Sequence, residues 1–117
     1  MLERVIQAAE EVHEAEGVSV EVVDLRTLAP LDKDAVLNSV KKTGKVLLVN
    51  DAHKTGGFIG EVAAMIAESD AFDYLDGRIM RLAGEDVPIP YNQTLETAMI
   101  PSVDRIKKQI LRLVNKR

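Results

Sequence analysis

Apolar residues recur along the chain with two periods. Leu2, Val5, Ile6, Ala9 and Val12 are spaced by three and four residues, which predicts a helix over Leu2–Glu16 with one apolar stripe. Gly17 is a natural stop for it. Val18, Val20 and Val22 then alternate with Ser19 and Glu21, and Val23 follows, which predicts a strand over 18–25. Beyond Pro30, Asp32 is placed to cap a second helix reaching about Lys42, with Val36, Leu37 and Val40 inward and Gly44 at its end. Residues 46–49 are all apolar, as expected of a strand covered on both faces. A polar, glycine-containing loop is expected over 50–57. A third helix follows over 58–68, with Phe58, Ile59, Val62, Met65 and Ile66 on one broad face. A helical turn is expected at 71–75 and a third strand over 79–83. Residues 84–101 hold three of the 4 prolines and read as a long surface loop with a short turn at 95–99. Ser102 caps a last helix whose inner face is Val103, Ile106, Ile110, Leu113 and Val114.

Helix and strand alternate throughout. That pattern predicts an α/β fold in three layers, a mostly parallel sheet flanked by helices, in a single domain spanning 1–117. The chain opens on a helix, whereas a doubly wound unit normally opens on a strand, and three strands are few for four helices. A first strand is therefore expected ahead of Met1, which would make the 117 residues part of a longer chain.

Composition narrows the chemistry. With 15 basic and 19 acidic residues the net charge is −4, which argues against a nucleic-acid or anionic-membrane partner. The absence of cysteine excludes disulfides, thiolate zinc sites, iron–sulfur clusters and a cysteine nucleophile. The two histidines, His13 and His53, lie far apart in the chain, so a histidine-based metal site is not expected. Phe and Tyr number 2 each, so the core must be aliphatic. No apolar run approaches the roughly 20 residues of a membrane span. A cytoplasmic protein is expected.

The loop at 50–57 is the best candidate for chemistry. It follows a parallel strand, where open α/β sheets place ligands, and it enters a helix N-terminus, which favours anions. His53, Lys54, Gly56 and Gly57 are the candidate residues for an interdomain or anion-binding loop. The alternative is that the glycines only form the turn and Gly60 lets the helix pack closely on the sheet. His13 reads as a surface residue, Asp24 and Arg26 as an ion pair at a strand end, and Glu85 and Asp86 as solvated loop acids. Nowhere does the spacing give a nucleophile, base and acid set, so no catalytic, cofactor-binding or metal-ligating residue is assigned.

Several stretches together resemble a known family. EVVDLRTLAPLD at 21–32 is similar to a stretch shared by transketolase-type C-terminal domains. KTGK at 42–45, DAH at 51–53 followed by GGFIGE at 56–61, and GEDVPIPY at 84–91 resemble the beta subunit of the first component of 2-oxo acid dehydrogenase complexes. HKTGG at 53–57 and AFDYLD at 71–76 look closest to its pyruvate and acetoin dehydrogenase branches.

The resemblance implies a division of labour. The full enzyme uses thiamine diphosphate and Mg2+. The acid that activates the cofactor and a catalytic histidine come from an N-terminal domain of the beta subunit, and the alpha subunit holds the diphosphate and the metal. The C-terminal domain builds the subunit interface with the alpha subunit and a second beta subunit. It also helps to dock the acyltransferase core through a small basic domain. No thiamine-contacting residue carries over onto this chain, His53 is not the catalytic histidine, and the isolated chain is expected to be inactive. The acidic segment at 70–76 falls where such docking contacts are placed, making Asp73 and Asp76 the candidate docking residues. The alternative there is a solvated helix end with Phe72, Tyr74 and Leu75 covering the core. Two other functional readings compete: a C-terminal domain of a transketolase or deoxyxylulose-phosphate synthase, and a stand-alone α/β binding module.

Overall fold

The computed structural model describes residues 2–24, 32–53, 58–84 and 101–115. In chain order the elements are α1 (Leu2–Glu16), α2 (Lys33–Thr43), β1 (Leu47–His53), α3 (Phe58–Ala67), a 3-10 helix (Asp70–Tyr74), β2 (Met80–Gly84) and α4 (Val103–Asn115). The expected helix starts and stops are built from the expected residues. Asp32 accepts the backbone N–H of Ala35 at 3.1 Å, and Ser102 Oγ accepts that of Arg105 at 3.2 Å. Gly17 and Gly44 end their helices at φ +71° and +76°, where a Cβ is unfavourable.

β1 and β2 pair in parallel, with Leu47 opposite Met80, Leu48 opposite Arg81 and Val49 opposite Leu82. The alternation of side chains then separates two cores. Leu47, Val49 and Leu82 meet Ala8, Val12, Ile106 and Ile110 on the α1/α4 face. Val46, Leu48 and Ile79 meet Val36, Val40, Val62, Ile66 and Ala71 on the α2/α3 face. The fold is thus the expected three-layer α/β arrangement with an aliphatic core. Val12, Val62, Ile66 and Ile106 are fully buried and anchor it, each contributing about 1.5–3 kcal/mol relative to exposure.

α1 and α4 are also linked by charge. Lys107 Nζ lies 2.9 Å from Glu11 Oε1, and Gln7 Nε2 donates to Glu11 Oε2 at 2.8 Å. The hydrogen bond from Lys107, reinforced by Gln7, lowers the Glu11 carboxyl below its ordinary range. The same hydrogen bond raises the Lys107 ammonium. Arg4 Nη1 donates to the Pro101 carbonyl at 2.9 Å and fastens the start of α1 to the start of α4.

Two expectations need correction. Residues 18–24 form no strand: among the described residues the sheet is β1 and β2 alone. Their alternation survives as packing: Val18 and Val20 lean on the α1/α4 core. Residues 50–53 are strand rather than loop. The register is irregular between Val49 and His53, which pairs with Gly84. Main-chain pairing thus carries β1 past the apolar run that signalled it. The sheet has two strands where three were expected. The long loop at 85–100, and with it Glu85 and Asp86, lies outside the described residues, as does Arg26 of the expected ion pair.

Candidate functional site

His53 ends β1 opposite Gly84, the last residue of β2, so it stands at the carboxyl end of the sheet as expected. α3 starts at Phe58. Lys54, Gly56 and Gly57 lie outside the described residues, and no geometry for an anion is drawn from this loop. Among the described residues, a Cβ added at Gly60 would meet only the Arg81 guanidinium, at 3.5 Å. That is ordinary contact, so close helix–sheet packing does not require this glycine. His13 is exposed, as expected, with Nδ1 3.3 Å from the Val18 carbonyl.

The acidic segment forms a defined surface. Ser69 caps the 3-10 helix: its Oγ accepts the Ala71 N–H at 3.1 Å and donates to the Ile66 carbonyl at 2.8 Å. Ala71 is fully buried and Leu75, four residues on, packs on the α2/α3 core. With those two inward, Phe72, Asp73 and Tyr74 turn outward. Phe72 is 54% exposed and Tyr74 56%. The alternative in which both aromatics cover the core is therefore corrected: of the three residues only Leu75 does so. The signal was present in the sequence, since Ala71 and Leu75 already supply one helical turn's apolar pair.

The two candidate acids differ. Asp73 is exposed. Asp76 forms an ion pair with Lys45, and its N–H donates to the Gly44 carbonyl at 2.8 Å. Lys41 sits over the Tyr74 ring, 5.7 Å from its centroid. The surface thus carries two exposed aromatic side chains, Phe72 and Tyr74, among charges of both signs, Asp73 and Asp76 with Lys41 and Lys45.

The described residues do not suit a diphosphate–magnesium site. No three acidic or histidine side chains among them converge in a way that could hold a metal ion, and no polar or charged side chain among them is buried. No catalytic step is assigned to them. No helix among them is long and apolar enough to cross a membrane.

The family model described as transketolase, C-terminal domain, matches residues 1–106. The chain is 48% identical over 103 residues to the 2-oxoisovalerate dehydrogenase subunit beta of Bacillus subtilis, covering 87% of this chain and 31% of that protein. It is 41% identical over 110 residues to the mitochondrial pyruvate dehydrogenase E1 component subunit beta of Caenorhabditis elegans, covering 94% and 31%. It is 43% identical over 101 residues to the pyruvate dehydrogenase E1 component subunit beta of Rhizobium meliloti, covering 86% and 22%. The chain thus spans less than a third of the length of these relatives.

Proposed function

The chain belongs to the transketolase C-terminal domain family, and we propose that it is the subunit-interface and assembly domain of a 2-oxo acid dehydrogenase beta subunit. The observation that carries this reading is the identity of 41–48% to pyruvate and 2-oxoisovalerate dehydrogenase beta subunits, which extends over most of the chain. A domain built on two aliphatic cores fits a structural role. In this reading thiamine diphosphate and Mg2+ serve the complete enzyme and are held by other domains. The partners are an alpha subunit, a second beta subunit and the acyltransferase core, and the oligomer is cytoplasmic. Pyruvate is the proposed substrate class, with branched-chain 2-oxo acids or acetoin as the alternatives. The exposed face of Phe72, Asp73 and Tyr74, with Asp76 beside it, is the proposed docking surface for the basic acyltransferase domain.

The test is a chimera in which residues 1–106 replace the matching part of the Bacillus subtilis 2-oxoisovalerate dehydrogenase subunit beta. Assembly with the cognate alpha subunit and retained 2-oxo acid decarboxylation are expected. A soluble, folded chimera that fails to assemble would overturn the assembly role. The isolated chain should show no stoichiometric micromolar binding of thiamine diphosphate with Mg2+ by calorimetry.

A further inference from the structure

The face assigned to docking already holds two cations, and both belong to the chain itself. Lys41 lies in the last turn of α2, and Lys45 follows the Gly44 cap one turn later. Across the seam, Tyr74 closes the 3-10 helix and Asp76 stands two residues on. The pairs match in order. Lys41 sits over the Tyr74 ring, 5.7 Å from its centroid, and Lys45 pairs with the Asp76 carboxylate. The Asp76 N–H on the Gly44 carbonyl, at 2.8 Å, fixes that register.

Both occupied groups are open to solvent. Tyr74 is 56% exposed, and the Asp76 side chain is 65% exposed against 28% for Lys45. No buried charge requires the lysines, since no polar or charged side chain among the described residues is buried. Nor does the local fold depend on them. The Gly44 N–H reaches the Val40 carbonyl at 2.8 Å to close α2, and Ala71 and Leu75 seat the 3-10 helix in the core. What the lysines change is the surface. Lys41 covers an aromatic face that attracts cations, and Lys45 offsets a carboxylate that does the same. Exposed pairs of either kind are weak, so an incoming cation can replace them.

We propose that Lys41 and Lys45 are built-in competitors of the basic partner. In the free subunit they occupy Tyr74 and Asp76, and docking exchanges them for cationic side chains of the acyltransferase domain. The inference rests on the docking reading and gives that site an autoinhibitory contact. It fixes a sign. Removing either lysine tightens docking, whereas losing a lysine that merely staples the 3-10 helix in place would loosen it.

The test uses the chimeric beta subunit assembled with its alpha subunit. The probe is the isolated docking domain of the Bacillus subtilis 2-oxoisovalerate dehydrogenase acyltransferase, titrated by calorimetry at low salt. Lys41→Met and Lys45→Met remove the charge and keep the aliphatic stem. Each is expected to tighten binding about three- to fivefold. The gain from Lys41→Met should vanish in a Tyr74→Leu background, and that from Lys45→Met in an Asp76→Asn background. Lys42→Met is the charge control, because Lys42 pairs with Glu21, at 3.3 Å, rather than with the docking face. Weaker binding by the Lys41→Met and Lys45→Met subunits would make these lysines staples and overturn the proposal. An equal gain from Lys42→Met, or gains that persist in both backgrounds, would also overturn it, since net charge alone would then account for them. Asp73→Lys separates this inference from the reading beneath it. If Asp73→Lys weakens binding and the lysine variants do not tighten it, the competition is overturned and the docking reading stands. Unchanged affinity in every variant, Asp73→Lys included, overturns both.

Discussion

The carbonyl of Gly44 receives the backbone N–H of Asp76 at 2.8 Å, while the Asp76 carboxylate pairs with Lys45 next to that glycine. The end of α2 and the exit of the 3-10 helix are thus locked together by two bonds of different kinds. The lock uses the space a side chain would fill. A Cβ at Gly44 would lie 3.3 Å from both Asp76 Oδ2 and the Tyr74 carbonyl, and φ is +76° there.

Gly44→Ala should therefore destabilise the chain by about 1–2 kcal/mol through left-handed strain, with displacement of the Asp76 contact added. Gly17 has a similar φ, +71°, but nothing among the described residues lies within 4 Å of an added Cβ. Gly17→Ala should carry the strain alone, about 1 kcal/mol. Urea denaturation of the two variants checks the order. Equal costs would mean that the Gly44–Asp76 contact contributes nothing.

The same lock separates the two docking acids. Asp76 is half of an exposed ion pair worth about 0–1 kcal/mol, so Asp76→Lys sets two ammonium groups side by side and perturbs the α2 exit as well as the surface. Asp73 reports on docking more cleanly. In the chimeric beta subunit, Asp73→Lys should slow association with a basic acyltransferase docking domain about tenfold at low salt, with the difference fading at high salt. Stopped-flow rates at two ionic strengths measure this. Unchanged low-salt rates would remove Asp73 from the interface.

The Glu11–Lys107 pair gives the α1–α4 contact a pH signature. The Glu11 carboxyl is lowered from 4.5, so its contribution is present above that value and is lost as pH falls through the lowered folded-state pKa. The Lys107 ammonium is raised from 10.5, so its contribution is present below that value and is lost as pH rises through the raised one. Glu11→Gln removes the charge and keeps the shape. The stability gap between wild type and Glu11→Gln should be widest between these limits and close on the acid side below 4.5. Thermal unfolding across pH tests it. A gap that persists unchanged at low pH would show that the pair does not stabilise the fold.

Local signals made the helices legible. Asp32, Ser102, Gly17 and Gly44 mark helix ends by chemistry acting within a few residues, and the 3.6 period named the buried faces of Val36, Val40, Val62, Ile66, Ile106 and Ile110. Strands depend on neighbours remote in sequence. Residues 18–24 have strand alternation but are not part of the sheet, whereas Asn50 and His53 lie in β1 despite polar side chains. At the candidate sites, the outward turn of Phe72 and Tyr74 was obscured because aromatic residues usually count as core. The apolar requirement of that short helix was already met by Ala71 and Leu75.

The uneven burial of α1 leads to the last expectation. Ala8 and Val12 are buried against Ile106 and Ile110, whereas Leu2 and Ile6 on the neighbouring flank stay open. The first turns are held by Arg4 to the Pro101 carbonyl and by half-buried Val5, so they have few contacts to lose on opening. Amides in the first half of α1 should therefore exchange faster than those around Val12, and faster than the paired amides of β1. Ile106→Ala should spread that fast exchange along the whole helix, because it removes the fully buried side chain on which Ala8 and Val12 rest, at about 2–5 kcal/mol. Leu2→Ala should leave the pattern nearly unchanged, since its side chain is already in water for much of its surface. Exchange followed by NMR distinguishes the cases. Uniform protection along α1 in the wild type would show that the helix opens only with global unfolding and that its exposed flank is not a weak point.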